Sequence, residues 1–271
     1  MTATDPWETD WQLARAALEW QVEMGADDAI CDAPLCRYDL PEKRETAQAA
    51  ASAPAAGPVS TPVAVGPEPL ADPVAIATQA AESAPDLDAL QDALAAFDHC
   101  DLKLGARNLV FADGQRNARV MIIGEAPGRE EDRQGRPFVG EAGQLLDRMF
   151  AAIDMGRENP DPAHALYITN ILPWRPPQNR DPSAEERAMM RPFVQRHIEL
   201  IDPEFVILMG RISAGTMLNT TEGITRLRGQ WCDLVGRPCL PMLHPAYLLR
   251  NPAMKRHAWA DLLSLQAKLR T

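Results

Sequence analysis

The pattern of hydrophobic and polar positions along the last two thirds of the chain predicts strands separated by helices. Four short runs are apolar at nearly every position, as expected of strands buried on both faces of a parallel sheet. They are ARVMIIG, ALYITNIL, FVILMG and CLPMLHP. Between them lie longer segments in which apolar residues recur at helical spacing. The pattern predicts an α/β fold, a three-layer α/β/α sandwich with a central, mostly parallel four-stranded sheet.

The helical segments precede, separate and follow these strands. They are LDALQDALAAF, EAGQLLDRMFAAI, SAEERAMMRPFVQRHIELI, SAGTMLNT and AMKRHAWADLLSLQAKL. Ser183 has the position of an N-cap and Glu186 that of its capping-box partner, which predicts where the third helix begins. In parallel sheets of this kind, ligands bind where strands end and loops begin.

The chain divides into three segments by composition. Residues 1–45 are acidic and include an amphipathic stretch over residues 8–30, which predicts an N-terminal helical segment. Residues 46–85 are rich in Ala and Pro and nearly free of aromatic residues, so they are predicted to form a flexible linker. Residues 86–271 carry the alternating strands and helices and form the predicted compact domain.

The net charge of −11 is unevenly distributed, which changes what it implies about partners. Residues 1–95 hold 4 basic and 17 acidic residues, whereas the remainder holds 23 basic and 21 acidic ones. A nearly neutral domain can bind nucleic acid when its basic residues share one face. Composition alone therefore neither requires nor excludes a nucleic-acid partner.

Targeting signals and disulfides are not indicated by the sequence. No apolar run approaches the roughly 18–20 residues that cross a bilayer, and the N-terminus lacks the basic start and apolar core of a secretory signal. We therefore expect a cytoplasmic protein with no membrane partner. The five cysteines are odd in number and form no CxxC pair, which argues against a disulfide framework.

Residues able to take part in chemistry follow three of the predicted strands. Gly124–Gly128 (GEAPG) follows the first strand, Thr169–Asn170 ends the second, and His244 follows the last. Glycines let a backbone approach a ligand, the Asn amide offers a donor and an acceptor in one plane, and a His could donate to a developing anion. Each feature alone also fits a structural role, as a tight turn, a turn-forming Asn or a structural His.

Two loops beside these strand ends could contact a ligand. In Arg136–Gly140 (RPFVG), the ring of Phe138 could stack on a planar group or simply pack in the core. Arg175–Arg180 (RPPQNR) is a stiff loop that could bind phosphates or be merely solvated. Basic residues cluster over 250–257, just beyond His244.

In their order and spacing, these segments resemble the uracil-DNA glycosylase superfamily, most closely its family four. The family pattern GE-x-PG-x-x-E-D-x-x-G-x-PFVG-x-AG-x-LL is matched at every fixed position by GEAPGREEDRQGRPFVGEAGQLL. The segments YITN, RPPQNR, RG at Arg228-Gly229 and HPAYLLRNP follow in the family's order. The resemblance covers roughly residues 96–268 and implies that residues 86–271 are a catalytic domain of this type.

The resemblance implies roles for the matched residues. Phe138 would stack on a uracil flipped out of DNA, and Asn170 would hydrogen-bond its polar edge. His244 would hydrogen-bond uracil O2 and stabilise the leaving uracil anion. The rest of the uracil pocket would be formed by Gly124, Glu125 and Ala126.

Three carboxylates near the GEAPG turn are candidates for positioning the attacking water. We rank Glu125 and Asp132 above Glu131. With the histidine, the expected catalytic residues are therefore Glu125, Asp132 and His244.

The HPAYLLRNP loop would insert into DNA and hold the base out of the stack. The expected DNA-binding residues are Arg175, Arg180, Arg228, Pro245, Tyr247, Leu248 and Arg250. The expected partner is uracil-containing DNA, single- or double-stranded. The N-terminal segment lies outside the resemblance and could dock a repair partner, and we expect a monomer.

The sequence departs from family four at the cysteines that usually bind a [4Fe–4S] cluster. The corresponding positions are Phe97, Cys100, Trp174 and Met190. Three of the four thiolate ligands are thus replaced by large apolar residues, which we expect to fill the volume of the cluster. Cys31 and Cys36 lie beyond the predicted linker at the wrong spacing to replace the ligands. We therefore expect no cofactor and no metal.

The expected activity is that of a monofunctional DNA glycosylase, which hydrolyses the N-glycosidic bond of uracil in DNA to free uracil and an abasic site. The alternative is a protein of the same fold that binds uracil-DNA without turnover. The segment after Gly128 lacks the His-bearing basic insertion of relatives that bond covalently to DNA, which favours turnover. A third hypothesis, a nucleotide-binding module of another α/β class, predicts no role for Asn170 or His244.

Overall fold

In the computed structural model, the described residues are 72–270. The predicted helical segment at residues 1–45 lies outside them, as do residues 46–71 of the predicted linker and Thr271. Within the described range, no helix is long and apolar enough to cross a lipid bilayer.

Helices and strands alternate through most of the described chain. The helices are α1 (Pro73–Glu82), α2 (Leu87–Ala96), α3 (Leu102–Gly105), α4 (Arg129–Gln134), α5 (Glu141–Ala151), α6 (Ala184–Ile201), α7 (Arg211–Met217), α8 (Ile224–Leu227), α9 (Pro245–Arg250) and α10 (Lys255–Leu269). The strands are β1 (Ala112–Gly114), β2 (Val120–Gly124), β3 (Leu166–Asn170), β4 (Phe205–Met209), β5 (Cys232–Leu234) and β6 (Arg237–Met242). Short 3-10 turns occur at Pro177–Asn179 and Pro252–Met254.

The strands form one mixed sheet in the order β1-β3-β2-β4-β6-β5. Its four central strands are parallel, as the four apolar runs predict, and β1 and β5 add antiparallel edges. The prediction of four strands was therefore incomplete. Each edge strand has three residues that are mostly not fully buried, so neither carries the continuous apolar run that identifies a central strand.

The sheet is covered on both faces, which confirms the three-layer sandwich. Along β2, Met121 and Ile123 join a hydrophobic cluster with residues of α1, α2, α6 and α7. Val120 and Ile122, which point to the opposite face, join a cluster with residues of α5 and α10. Burial on both faces explains why the central strands are apolar without alternation.

The fold begins earlier than the sequence predicts, because α1 lies inside the predicted linker. The Asp72 carboxylate caps α1 by accepting from the Val74 amide at 3.0 Å. Ala77 and Ala81 are buried where α1 packs against α6. Alanine has the highest helix propensity, and its small side chain lets two helices approach closely. Composition alone was a poor guide here, and the boundary at residue 86 was wrong.

Candidate active site

A cavity of about 430 Å³ opens at the carboxyl ends of the parallel strands. It is bordered by the turns after β2 and β3, the loop before α5 and the start of α9. The lining residues are Glu125, Ala126, Pro127, Gly128, Glu131, Phe138, Ala142, Asn170, Pro176, Asn179, Arg180, Asp181, His244, Ala246, Tyr247 and Arg250. Three segments that are far apart in the sequence thus meet, as the α/β topology predicts.

Gly124 makes room for two of the predicted site residues. It is paired in register with Asn170 across β2 and β3. A Cβ atom on Gly124 would lie 2.3 Å from Oδ1 of Asn170 and 2.5 Å from Cε2 of Phe138. Gly124 therefore does not itself line the cavity, in contrast to the prediction, but its missing side chain lets the amide and the ring come together.

Asn170 presents an amide that the protein leaves unused. Its side chain is 6% exposed, lines the cavity, and makes no hydrogen bond with any described residue. Because the amide faces the cavity, a ligand or water there can satisfy it. The arrangement favours a ligand with a planar edge that both donates and accepts.

Phe138 is held in an unusual backbone conformation. Its φ of 53° is in the left-handed region, which non-glycine residues seldom adopt. The ring stacks on the imidazole of His244 with a centroid distance of 5.5 Å and an interplanar angle of 28°. Phe138 therefore borders the cavity as predicted, beside the two polar groups expected to contact the base.

Arg157 holds this conformation and was missed by the sequence analysis. Its Nη1 donates to the carbonyl oxygen of Pro137 at 2.8 Å and its Nη2 to that of Phe138 at 2.9 Å. The same guanidinium pairs with Asp113 and Asp147, both at 2.9 Å. Arg157 lies between α5 and β3 and belongs to none of the sequence motifs. Its burial in the folded protein, at 8% exposure, reveals this role.

His244 is fixed as a neutral imidazole with a defined tautomer. Burial is the main reason that the pKa of His244 is lowered to about 4, and the charge of Arg250 adds to the effect. The amide of Ala246 donates to Nδ1 of His244 at 3.1 Å. Since Nδ1 accepts this hydrogen bond, the ring proton must lie on Nε2. The neutral ring can therefore donate from Nε2.

Of the three candidate carboxylates, Glu125 is the one that remains available. It lines the cavity, and its side chain makes no hydrogen bond within residues 72–270. Burial raises its pKa, and the negative charge of Asp181 adds to this, whereas Arg211 and Arg187 oppose it. A raised pKa suits a general base, so Glu125 stays the candidate for that role.

Glu131 borders the cavity, but its carboxylate is already occupied by the backbone. It accepts from the amides of Gly128 at 3.1 Å, Val139 at 3.0 Å and Gly140 at 2.8 Å. Glu131 therefore ties the turn after β2 to the loop that carries Phe138. This is a structural role that agrees with its lower rank.

Asp132, which was also predicted to be catalytic, does not line the cavity. Asp132 is buried, lies outside the cavity lining, and accepts from the backbone amides of Arg107 at 2.8 Å and Asn108 at 3.3 Å. The next position along α4 turns about 100° away from Glu131. The carboxylate consequently anchors the segment before β1 instead of facing a substrate.

The predicted DNA-binding arginines divide into three groups. Arg180 and Arg250 line the cavity, although Arg180 is also paired with Glu186 through two contacts of 2.9 and 2.6 Å. Arg175 lies outside the lining, and its Nε donates to Asn179 at 2.8 Å. Arg228 is bound to a buried carboxylate.

Arg228, predicted to contact DNA, is held within the fold. Its guanidinium forms an ion pair with Asp261, which is 1% exposed, and donates to the carbonyl oxygen of His257 at 3.0 Å. These contacts join the segment after α8 to α10. Removing Arg228 would leave a buried carboxylate unpaired, so the residue stabilises the fold.

The HPAYLLRNP segment is a helix where the sequence predicted an inserting loop. His244 is the N-cap of α9, and Pro245 occupies its first turn. Pro245 and Leu248 are buried, and Leu248 packs with Leu145 and neighbouring side chains. Both were wrongly assigned to the DNA surface, because in a helix this spacing turns them inward. Tyr247 does line the cavity.

The four positions expected to replace a metal cluster are buried together. Phe97, Cys100, Trp174 and Met190 belong to one hydrophobic cluster and are each at most 4% exposed. The ring of Phe97 packs edge-to-face against Phe193 at 5.5 Å. Burial is the main cause that raises the pKa of the Cys100 thiol. The residues present do not form a donor set for iron.

Comparison with known proteins agrees with this geometry. Residues 111–263 match the family described as the Uracil DNA glycosylase superfamily. This chain belongs to the uracil-DNA glycosylase superfamily. The match includes the whole GEAPG turn, Phe138, Asn170 and His244, and it begins after Phe97 and Cys100.

Individual relatives in the superfamily carry a more specific name. A Type-4 uracil-DNA glycosylase of Thermotoga maritima is 38% identical over 154 residues, which cover 56% of this chain and 77% of that protein. Proteins of the same name from Archaeoglobus fulgidus and Saccharolobus solfataricus are each 36% identical. The alignment with the Archaeoglobus protein covers 60% of this chain and 82% of that protein. The alignment with the Saccharolobus protein covers 68% of this chain and 87% of that protein. The resemblance to family four is confirmed.

Proposed function

We propose that this protein is a monofunctional uracil-DNA glycosylase, which hydrolyses the bond between uracil and deoxyribose in DNA. The observation that carries this proposal is the meeting of three groups at one cavity: the unpartnered amide of Asn170, the ring of Phe138 and the Nε2–H of His244. The names of the relatives support uracil in DNA as the substrate.

Base recognition would use the planar groups of the cavity. Uracil extruded from the helix would stack on Phe138, while the Asn170 amide would pair with the donor and acceptor on its polar edge. Gly124 keeps these two groups close enough to contact one small ring. Flipping a base costs a few kcal/mol, and the desolvated contacts of the cavity would offset that cost.

Bond cleavage would leave the electron pair of the C1′–N1 bond on uracil and positive charge on the sugar. The Nε2–H of His244 would donate to uracil O2, where the negative charge spreads. Because the imidazole is already neutral, it donates a hydrogen bond and does not protonate uracil. The negative charge therefore stays on uracil until uracil takes up a proton. A preorganised donor of this kind is typically worth about 3 kcal/mol.

Water would complete the reaction by adding its oxygen to C1′. The carboxylate of Glu125 would orient this water and accept one of its protons, and uracil would take up a proton at N1 on release. The net reaction consumes one water molecule and yields free uracil and an abasic site. The partly exposed Tyr247 and the exposed Arg180 and Arg250 at the rim would contact the DNA.

We further propose that the four substituted positions hold no iron–sulfur cluster. One thiol among three large apolar side chains supports this, as does the finding that within residues 72–270 no group of three or more His, Cys, Asp or Glu is placed to hold a metal ion. The purified full-length protein should be colourless and contain no stoichiometric iron. A brown preparation with absorbance near about 400 nm would reject this second proposal.

The activity is tested with oligonucleotides that carry a single uracil, as single strands and as duplexes. We expect alkali-sensitive abasic sites and release of free uracil in molar excess over the enzyme. Uracil-dependent binding without release would identify a non-turnover binder, and no response to uracil would reject the proposal. The variant His244→Asn is the matched control for a contaminating glycosylase, since it lacks the donor at the position of Nε2 and should lose most of the release.

A further inference from the structure

A second polar cavity of about 210 Å³ lies between α6 and α7. Its seven lining residues are Ala184, Arg187, Ala188, Arg191, Gly215, Thr216 and Asn219. It shares no lining residue with the candidate active site, and none of its own is acidic. We call it the α6–α7 groove.

Two buried polar atoms of the α6–α7 groove lack partners. Oγ1 of Thr216 and Nε of Arg191 are inaccessible to solvent and make no hydrogen bond in the part of the chain that the structure describes. Thr216 is 7% exposed. A ligand in the groove cannot reach these two buried atoms directly. The terminal Nη nitrogens of Arg191 are not buried in this way and also make no hydrogen bond within the described residues, so the guanidinium has donors left for a ligand that accepts hydrogen bonds.

The charge of the groove indicates the same kind of ligand. Arg187 and Arg191 are one helical turn apart on α6, a spacing at which like charges disfavour the helix. Arg187 donates from Nε to the carbonyl oxygen of Ser183 at 3.2 Å, whereas Arg191 has no ion pair among the described residues. An anion with several oxygens would relieve the repulsion and supply acceptors to both arginine side chains.

The groove lies close to the proposed uracil site. Asp181, which lines the active-site cavity, is three residues before Ala184, which lines the groove. The positive charge of Arg187 also acts on Glu125. It lowers the pKa of that carboxyl, whereas burial raises it. A DNA strand that places a nucleotide in the active site could therefore place a neighbouring backbone group at the groove.

We propose that the α6–α7 groove binds a phosphate group through Arg187 and Arg191, with a phosphodiester of the bound DNA strand as the source that fits its position. This assignment of the source rests on the proposed function. A phosphate contact of this type would fix the register of the strand without reading its sequence. A free phosphate compound shares the same chemistry and is distinguished by the experiment.

The test compares Arg191→Gln with Arg148→Gln in the full-length protein. Arg148 lies on α5, is exposed, and lines neither cavity, so its variant controls for net charge. Binding to a single-stranded oligonucleotide without uracil is measured from about 50 to 200 mM salt. For Arg191→Gln we expect a Kd about tenfold weaker and a salt slope smaller by about 0.7, with no such change for Arg148→Gln.

Calorimetry with inorganic phosphate distinguishes the two sources. Binding of phosphate at about 1 mM or tighter that is lost in Arg191→Gln, with DNA affinity unchanged, identifies a free phosphate compound. If neither phosphate nor DNA binding responds to Arg191→Gln, the groove proposal is overturned. Uracil release is assayed separately. If the wild-type protein releases no uracil but Arg191→Gln still weakens DNA binding, the proposed activity is rejected and the groove proposal stands.

Discussion

The guanidinium of Arg157 donates a hydrogen bond of 2.9 Å from Nη2 to the carbonyl oxygen of Phe138, 19 positions earlier in the chain. This contact matters because Phe138 has a positive φ, a conformation that costs on the order of 1–3 kcal/mol in a non-glycine residue. Arg157 offsets that cost and thereby aims the Phe138 ring at the cavity. It acts through Phe138 as a positioning residue, without contact to the proposed substrate.

Arg157→Lys should lower kcat/KM for uracil release by about tenfold to a hundredfold, because an ammonium cannot bind both carbonyl oxygens and Asp113 in the same geometry. Arg136→Lys is the matched control. Arg136 also pairs with Asp113, at 3.0 Å, but it is exposed at the surface. Equal losses in the two variants would show that the guanidinium contacts to Asp113 account for the effect and the carbonyl contacts do not.

Gly124→Ala should reduce activity strongly while leaving the protein folded. The added methyl group would lie 2.3 Å from Oδ1 of Asn170 and 2.5 Å from the Phe138 ring, so one of the two must move. Gly156→Ala is a suitable control, because a Cβ there meets nothing within 4 Å. Steady-state kinetics and melting curves of both variants check the expectation, and full activity of Gly124→Ala would contradict the proposed pocket.

The pH dependence of kcat should reflect Glu125 at its acidic end. The carboxylate must be ionised to accept a proton, and burial raises its pKa above the usual value of 4.5. Activity is therefore expected to fall as the pH drops through that raised pKa. Glu125→Gln should be slow at every pH and lack this acidic limb. A wild-type profile that is flat down to pH 4 would argue against Glu125 as the base.

His244 should give no loss of activity as the pH rises from 6 to 8. Its pKa is lowered to about 4, so the neutral donor is fully present throughout that range. His244→Asn, whose shorter side chain can still cap α9 but cannot place a donor at the position of Nε2, should reduce kcat by about a hundredfold, the typical cost of removing one charge-stabilising donor. A rate that declines through pH 6.5 in the wild type and not in the variant would require a protonated imidazole instead.

Stability should fall on mild acidification because of His197. Burial lowers the pKa of His197 to about 3, and its Nε2 is 2.7 Å from the hydroxyl of Tyr167. Between pH 6.5 and 3 the unfolded chain binds a proton that the folded protein does not, so the free energy of unfolding rises with pH in this window. His197 alone contributes up to about 1.4 kcal/mol per pH unit.

The double variant His197→Phe/Tyr167→Phe removes the titrating group together with its hydrogen-bond partner. Between pH 5 and 6.5, denaturant titrations should show a smaller dependence of the free energy of unfolding on pH than in the wild type. His244 should maintain the remaining slope. An unchanged slope in the double variant would mean that His197 is protonated in the folded protein.

The sequence predicted the parts of this protein that depend on local pattern. The buried strands, the capping box at Ser183 and the strand-end positions of Asn170 and His244 follow from hydrophobic runs and motif order. Arg157 could not be found in this way, because its partners lie at positions spread from 113 to 147.

The errors have a related cause. Leu248 was placed at the DNA surface because the segment was interpreted as a loop, and a six-residue helix reverses the direction of that side chain. Asp132 was chosen because it lies near Glu125 in the sequence. Its position on helix α4, however, points its carboxylate away from the cavity. Residues 73–82 were assigned to a linker by composition, although alanines at helical spacing pack well against another helix.

The pairing of Gly124 with Asn170 on adjacent parallel strands has a consequence for engineering. The spacing between the two halves of the pocket is set by main-chain hydrogen bonds of the sheet, so it does not depend on which side chain stands at position 170. Substitutions there can alter base selectivity while the frame stays in place. A library restricted to position 170 should therefore yield folded proteins with new base preferences more often than one that also varies Gly124.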